Sequence, residues 1–198
     1  AVGVDHDDQA LLATTDNAHY NGVGLAQLQV FSLLDWQANG ARASCLETMA
    51  DCMAIFAPNI NSFRRMVPGC YAPLAPNWGY ENRTTAIRIP GGDNSAMRIE
   101  HRVAGADANV YLTVAAMLAG ALYGIENKLK APEAVEGDAG DVEATLPHFW
   151  NDAIKAFEKS DFIREYLGAE LQSTYALCKR KEKQEFDSAV TMMEYDAY

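Results

Sequence analysis

The sequence predicts an α+β chain: a small antiparallel hairpin or sheet packed by helices, followed by a helical C-terminal half. Three observations carry this. "RTTAIRIPGGDNSAMRIEHRV" reads as two strands joined through the turn residues Pro-Gly-Gly-Asp-Asn. "ANVYLTVAAMLAGALYGIENKLK" is a long run rich in Ala and Gly, and the segments beyond Leu146 repeat apolar residues at helical spacing. With 198 residues, 49% of them apolar, the chain can bury a core as one domain or most of one.

Taken in order, residues 1 to 21 form an irregular opening, and "GLAQLQVFSLLDWQANG" and "ARASCLETMADCMAIF" read as helices. The "DHDD" at residues 5 to 8 has metal-ligand residue types but is expected to be a solvated loop. The hairpin strands are placed at 84 to 89 and 96 to 103. Alternation puts Met97, Ile99, His101 and Val103 on an apolar face, with His101 as a core histidine, and Arg98, Glu100 and Arg102 on the other. Asp107 or Asn109 can cap a helix running to about Lys128. Its apolar residues go nearly all the way round, so it is expected to be buried behind the sheet. "APEAVEGDAGDVEAT" reads as an acidic surface loop, and the helices after it start near Pro147 and Asp161.

Sixteen Lys and Arg against 27 Asp and Glu give a net charge of -11, which argues against nucleic acid and anionic membranes as partners. The run Ala108 to Ile125 is too weakly apolar for a membrane span. Cys45, Cys52, Cys70 and Cys178 show no C-x-x-C pairing and suggest reduced thiols in a cytoplasm, without zinc. No signal peptide begins at Ala1, and the absence of an initiator Met suggests a start partway through a longer protein.

The distribution of charge says more than its total. Every lysine lies at Lys128 or later, while Arg64, Arg65, Arg83, Arg88, Arg98 and Arg102 cluster between residues 61 and 105. Only Glu81, Asp93 and Glu100 oppose them there. The planar guanidinium fork suits carboxylate and phosphate oxygens, so this island points to a small anionic ligand. A salt-bridge ladder on an exposed sheet is the plain alternative.

In chain order, "NSFRRMVPGCYAP", "NWGYENRTTAIRIPGG", "MRIEHRVAGADANVYL", "AAMLAGALYGIENKL", the "LP" at Leu146 and the closing "VTMMEYDAY" resemble the C-terminal part of the glutamine synthetase catalytic domain. The resemblance runs from about residue 45 to 198 and is weak over the first 40. It implies that residues 1–198 are a partial catalytic domain of that type. In that family the arginines at the places of Arg65 and Arg102 hold the substrate glutamate, and the latter also lies near the transferred phosphate. Those at Arg83, Arg88 and Arg98 serve ATP and its phosphates, which makes Arg83 and Arg102 the candidate catalytic pair. Glu100 corresponds to a ligand of a divalent metal, Mg2+ or Mn2+. The implied chemistry is ATP-dependent activation of the γ-carboxylate of glutamate as γ-glutamyl phosphate, followed by attack of an amine, in a homo-oligomeric ring.

Departures from the pattern refine the expectation. Glutamine synthetases proper carry a glutamate after the Pro-Gly turn that helps bind and deprotonate ammonium; here that position is Tyr71. A phenol, with a reference pKa near 10, cannot serve as a carboxylate at neutral pH. Members that join glutamate to larger amines, the γ-glutamylpolyamine and γ-glutamylputrescine synthetases, look similar in the turn, in "WGYENRT" and in "GALYGIENKL". Tyr71 is then either a surface for an alkyl amine or its cationic end, or a plain loop residue. Many relatives carry a lysine where this chain has Ser95, and "EGDAGDVEA" offers no counterpart of the adenylylation tyrosine of some bacterial members. The family's N-terminal β-grasp domain and H-x-H motif are not among these residues, so the isolated chain is expected to show little turnover. The resemblance leaves three readings: a glutamate–amine ligase using a polyamine or other primary amine, an ammonium-using glutamine synthetase, and a noncatalytic anion-binding or assembly subunit.

Overall fold

The computed structural model describes residues 2–5, 29–32, 41–68, 72–91 and 99–197. Strands β1 (Val2–Asp5) and β2 (Gln29–Ser32) pair in parallel, from Val2 against Gln29 to Asp5 against Ser32. This corrects two expectations: β1 interrupts the irregular opening, and β2 replaces the middle of the helix expected over "GLAQLQVFSLLDWQANG". Val and Phe suit an extended, paired backbone, and a distant strand partner overrides local helical spacing. The rest of both segments, with His6, Asp7 and Asp8, lies outside the described residues.

The next expected helix is also divided. Helix α1 (Ala41–Glu47) gives way to turns at 48–52, then α2 (Met53–Phe56) and α3 (Ile60–Phe63) follow. Bonds of the three-residue type close the break, from Met49 N to the Leu46 carbonyl and from Met53 N to the Ala50 carbonyl, both 3.3 Å. Cys52 to Pro58 are all buried. A segment enclosed on every side follows its neighbours rather than one amphipathic stripe.

Strands β3 (Trp78–Tyr80), β4 (Ile87–Ile89) and β5 (Glu100–His101) form one sheet. The antiparallel β4–β5 pair is the expected hairpin, shorter than predicted, with Ile87 opposite His101 and Arg88 opposite Glu100. Residues 84–86 belong to a turn, and 92–98 lie outside the described residues. Strand β3 was not anticipated. It runs parallel to β4 although only residues 81–86 separate them, whereas parallel neighbours ordinarily need a dozen or more. Side chains hold this tight crossover together. Asn77 Oδ1 accepts from Ala86 N at 2.9 Å, and Thr85 Oγ donates to the carbonyls of Asn82 and Ile87, both at 2.9 Å.

Helix α4 (Val110–Glu126) starts where predicted, with Asn109 Oδ1 accepting from Tyr111 N and Leu112 N at 3.0 and 3.2 Å. It packs chiefly on α1 through a small-residue face of Ala116, Gly120, Ala121 and Gly124. It is not buried all round as expected, because its first turns leave Val110, Tyr111 and Val114 exposed. The segment 131–145 is irregular apart from a 3-10 turn, Ala139–Asp141, as its composition predicted.

Helices α5 (Trp150–Lys159), α6 (Asp161–Tyr166), α7 (Ala169–Ser188) and α8 (Met192–Ala197) complete the chain. Trp150, Ala153, Ile154 and Phe157 fall on one helical stripe of α5 and join a core shared with α1, α2 and the sheet. Ser160 Oγ caps α6 by accepting from Ile163 N at 3.0 Å while donating to Asp51 at 2.7 Å. Gln172 Nε2 donates to the carbonyls of Phe157 and Ser160 at 2.9 and 2.7 Å, satisfying the end of α5 from α7. Cys45, Cys52 and Cys178 are free thiols, and burial pushes Cys45 up to about 12. Among the described residues no helix is long and apolar enough to cross a membrane.

Candidate active site

The β4–β5 rung sets the charged centre. Register places Arg88 opposite Glu100, and Arg88 Nη1 donates to Glu100 Oε2 at 2.7 Å. Arg88 Nη2 turns the other way and donates to both oxygens of Glu81, at 3.2 and 3.1 Å. Glu100 first, and Glu81 after it, raise the Arg88 pKa above its ordinary value. Glu81 leads out of β3 with φ of 49°, a left-handed conformation uncommon for a residue with a Cβ. Its carboxylate also accepts from Gly91 N, and that bond, with the one from Arg88, holds it below the usual carboxylate range.

Arg102 belongs to the same cluster by a different route. Its Nη1 donates to the carbonyl of Arg83 and to that of Thr85, the latter at 3.1 Å, so the guanidinium is stitched to the crossover turn. Burial first, then repulsion from Arg88 and Arg83, lowers its pKa, against an opposing pull from Glu100. The Arg83 side chain is exposed, and among the described residues its guanidinium makes no hydrogen bond. The structure therefore brings Arg83, Arg88, Arg102 and Glu100 together.

Arg65 approaches from the end of α3. Its Nη2 donates to the carbonyl of Val103, beside Arg102 in the chain, while its buried Nε has no partner among the described residues. Burial lowers its pKa and Asp107 opposes that. Asp107 Oδ2 accepts from Ser62 at 2.6 Å and from Asn59 at 3.2 Å, and so serves the Arg65 corner rather than a helix cap. Gly105 makes the corner possible, since a Cβ there would lie 2.4 Å from Asp107 Oδ1.

Behind the charged rung sits His101, half-buried with its ring 4.5 Å from that of Phe56. Burial lowers its pKa to about 4, so it is a neutral core residue as expected, although Nδ1 has no partner among the described residues. Tyr71, Arg98 and Ser95 lie outside the described residues. Among the described residues no three of His, Cys, Asp and Glu gather as a metal site. Glu100 thus offers one carboxylate, already paired with Arg88, and these residues do not by themselves fit a bound cation.

An acidic loop borders this cluster. Val135 N donates to the Trp78 carbonyl at 2.8 Å, Trp78 Nε1 to the Pro132 carbonyl at 2.8 Å, and Asn82 Nδ2 to the carbonyls of Val135 and Gly137 at 3.2 and 2.8 Å. Ala139 N donates to Thr84 Oγ at 2.8 Å. Residues 132–139 are thereby laid along β3 and the turn that carries Arg83. Sequence reasoning missed Glu81 and this contact. The "GYEN" spacing beside "AIRI" held the first signal, because a strand bearing Tyr80 next to one bearing Ile89 puts Glu81 within reach of Arg88.

Residues 34–198 match the family model described as "Glutamine synthetase, catalytic domain". The chain is similar to γ-glutamylputrescine synthetase PuuA of Escherichia coli (strain K12), 43% identical over 155 residues that make 78% of this chain and 33% of that protein. It is also similar to γ-glutamylethanolamide synthetase GlnA4 of Streptomyces coelicolor, 38% identical over 150 residues, 75% of this chain and 32% of that protein. A solved structure described as "Apo GmaS without ligand" matches with a TM-score of 0.67 and 29% identity, over 78% of this chain and 36% of that one. The chain spans about a third of the length of the curated relatives it matches.

Proposed function

Since this chain belongs to the glutamine synthetase family through its catalytic domain, we propose that the protein it represents is an ATP-dependent ligase joining the γ-carboxylate of glutamate to a primary amine, with a polyamine as the amine. The observation that carries this reading is the convergence of Arg83, Arg88 and Arg102 on one turn and one strand rung. Such a cluster suits the negative charge that builds up when a carboxylate oxygen attacks a phosphoryl group.

In this reading Arg65 and Arg102 hold glutamate, while Arg83, Arg88 and Arg98 hold the phosphates of ATP. Arg83 and Arg102 stabilise the transferring group. A γ-carboxylate oxygen attacks the terminal phosphorus of ATP, the P–O bond to ADP breaks, and the carboxylate becomes an acyl phosphate, a mixed anhydride with phosphate as its leaving group. The amine nitrogen then attacks the carbonyl carbon of the γ-carboxyl group, the C–O bond to phosphate breaks, and the nitrogen gives up a proton to the released phosphate or to solvent. Tyr71 stands where a carboxylate would serve ammonium, which favours a larger amine. The names of the two relatives, a putrescine and an ethanolamine ligase, support the same choice. The divalent metal that the family resemblance implies, Mg2+ or Mn2+, would need ligands besides Glu100, which Arg88 already pairs. Exposed apolar residues at Val110, Tyr111 and Val114, and at Val190, Met192 and Met193, support assembly into a homo-oligomer.

The test offers ammonium, ethylamine, putrescine and spermidine to the natural full-length protein with ATP and glutamate, and follows phosphate release. A preference for putrescine or spermidine is expected. Preference for ammonium makes the protein a glutamine synthetase in the strict sense. The absence of turnover with any amine favours an anion-binding or assembly subunit, a reading consistent with the protein partners that Arg65, Arg88 and Arg102 already hold.

A further inference from the structure

Between the segments flanking the Pro-Gly turn and the acidic loop lies a cavity of about 160 Å³. Its apolar wall comes from Val67, Pro68, Pro73 and Leu74, and its polar side from Thr84 and Asp138. Thr84 adjoins Arg83 in the chain and joins the two sides, because its hydroxyl accepts from Ala139 N while donating to Asn82 Oδ1 at 2.6 Å. Thr84 thus links the cavity to the turn that carries Arg83, yet the charge on the cavity's own lining is of the opposite sign.

Asp138 is fixed for this role. Its Oδ1 accepts from Gly140 N at 2.8 Å, capping the short 3-10 turn, and its Oδ2 takes no bond from a described residue. Gly137, with φ of 82°, turns the loop so that Asp138 follows directly on the carbonyls that accept from Asn82 Nδ2. The segment around it, "APEAVEGDAGDVEAT", contains five acidic residues and no basic one. An apolar wall beside a carboxylate with one oxygen that takes no bond from a described residue matches an aliphatic chain carrying an ammonium.

We propose that this cavity binds the alkyl chain of an aliphatic diamine or polyamine and that Asp138 is the specificity-determining residue, accepting from the ammonium distal to the reacting nitrogen. The inference rests on the amine-ligase reading and adds the group that distinguishes a diamine from a monoamine. The acidic loop gives such a substrate a charge-matched approach alongside arginines reserved for glutamate and phosphate.

The experiment compares putrescine with n-butylamine as substrates of the natural full-length protein, its Asp138→Asn variant and its Glu143→Gln variant. Asparagine keeps an oxygen for the Gly140 N–H, so the turn survives the change. Wild type is expected to show a lower KM for putrescine than for n-butylamine, and Asp138→Asn to reduce that preference about tenfold, the order expected for one charge-assisted hydrogen bond. Glu143→Gln, which removes an exposed charge from the same loop away from the cavity, is expected to keep the preference. Undiminished preference in Asp138→Asn, or an equal loss in Glu143→Gln, overturns the inference while amine ligation stands. Failure of the wild-type protein to use any amine overturns the amine-ligase reading and the inference with it.

Discussion

The basic turn at 81–88 and the acidic loop at 131–145 lie within hydrogen-bond reach of each other, yet the fold holds them by different means. In the turn charged side chains share the fastening with Asn77 and Thr85. Arg88 is fixed by Glu81 and Glu100, and Arg102 by the carbonyls of Arg83 and Thr85. In the loop the fastenings are mostly backbone groups and the indole of Trp78, while Glu133, Glu136, Asp138 and Glu143 stay exposed. A guanidinium that must aim its fork needs both its position and its angle set. A loop that presents negative charge needs only its path set.

The strongest way to break this contrast is Arg102→Ala in the natural full-length protein. Ligase turnover is expected to fall at least about 100-fold, as when an oriented donor to a developing anion is removed. Unchanged turnover would remove Arg102 from the site.

The underside of the same rung is tested by pH. Folded His101 binds its proton less readily than the unfolded chain does, so from about 6.5 down to about 4 the unfolded state holds more protons and stability falls as pH drops. His101→Leu is expected to remove a loss of about 3 kcal/mol between pH 7 and pH 4 in urea denaturation. Parallel pH profiles for the two proteins would show that His101 is not the group responsible.

Asn82→Ala probes the seam itself. It deletes two donations to the loop and two acceptances from Thr84, and is expected to cost about 2 kcal/mol. Faster hydrogen exchange at the Val135 and Ala139 amides should accompany it, and unaltered protection there would mean that the loop is held by something else.

The smallest effect belongs to Glu81→Gln, which removes one of two counter-charges from Arg88. Affinity for pyrophosphate is expected to rise about two- to fivefold, the range of a partly exposed ion pair. A weaker affinity would make Glu81 a support for the ligand rather than a competitor.

Much of this was legible before folding was considered. The arginine cluster, the β4–β5 pair, the Asn109 cap, the acidic loop and the periodic helices α5 to α7 depend on spacing within a short stretch, which the sequence displays directly. The division of the α1–α2 region, β1 and β2, and the parallel β3 were not legible, because each is decided by a partner distant in sequence or by burial on all sides. The same holds for Glu81, whose left-handed backbone and pairing with Arg88 arise only when β3 lies beside β4.

Residue types and their spacing determined by themselves that this chain concentrates arginines, with few opposing carboxylates, between residues 61 and 105 and sets an acidic stretch without basic residues at 131–145. Only the tertiary structure decided that these two regions touch, through Asn82 and Thr84, and enclose a cavity with Asp138 at its polar side. Charge is a property of a residue, whereas the distance between two charges belongs to the folded backbone that sets them side by side.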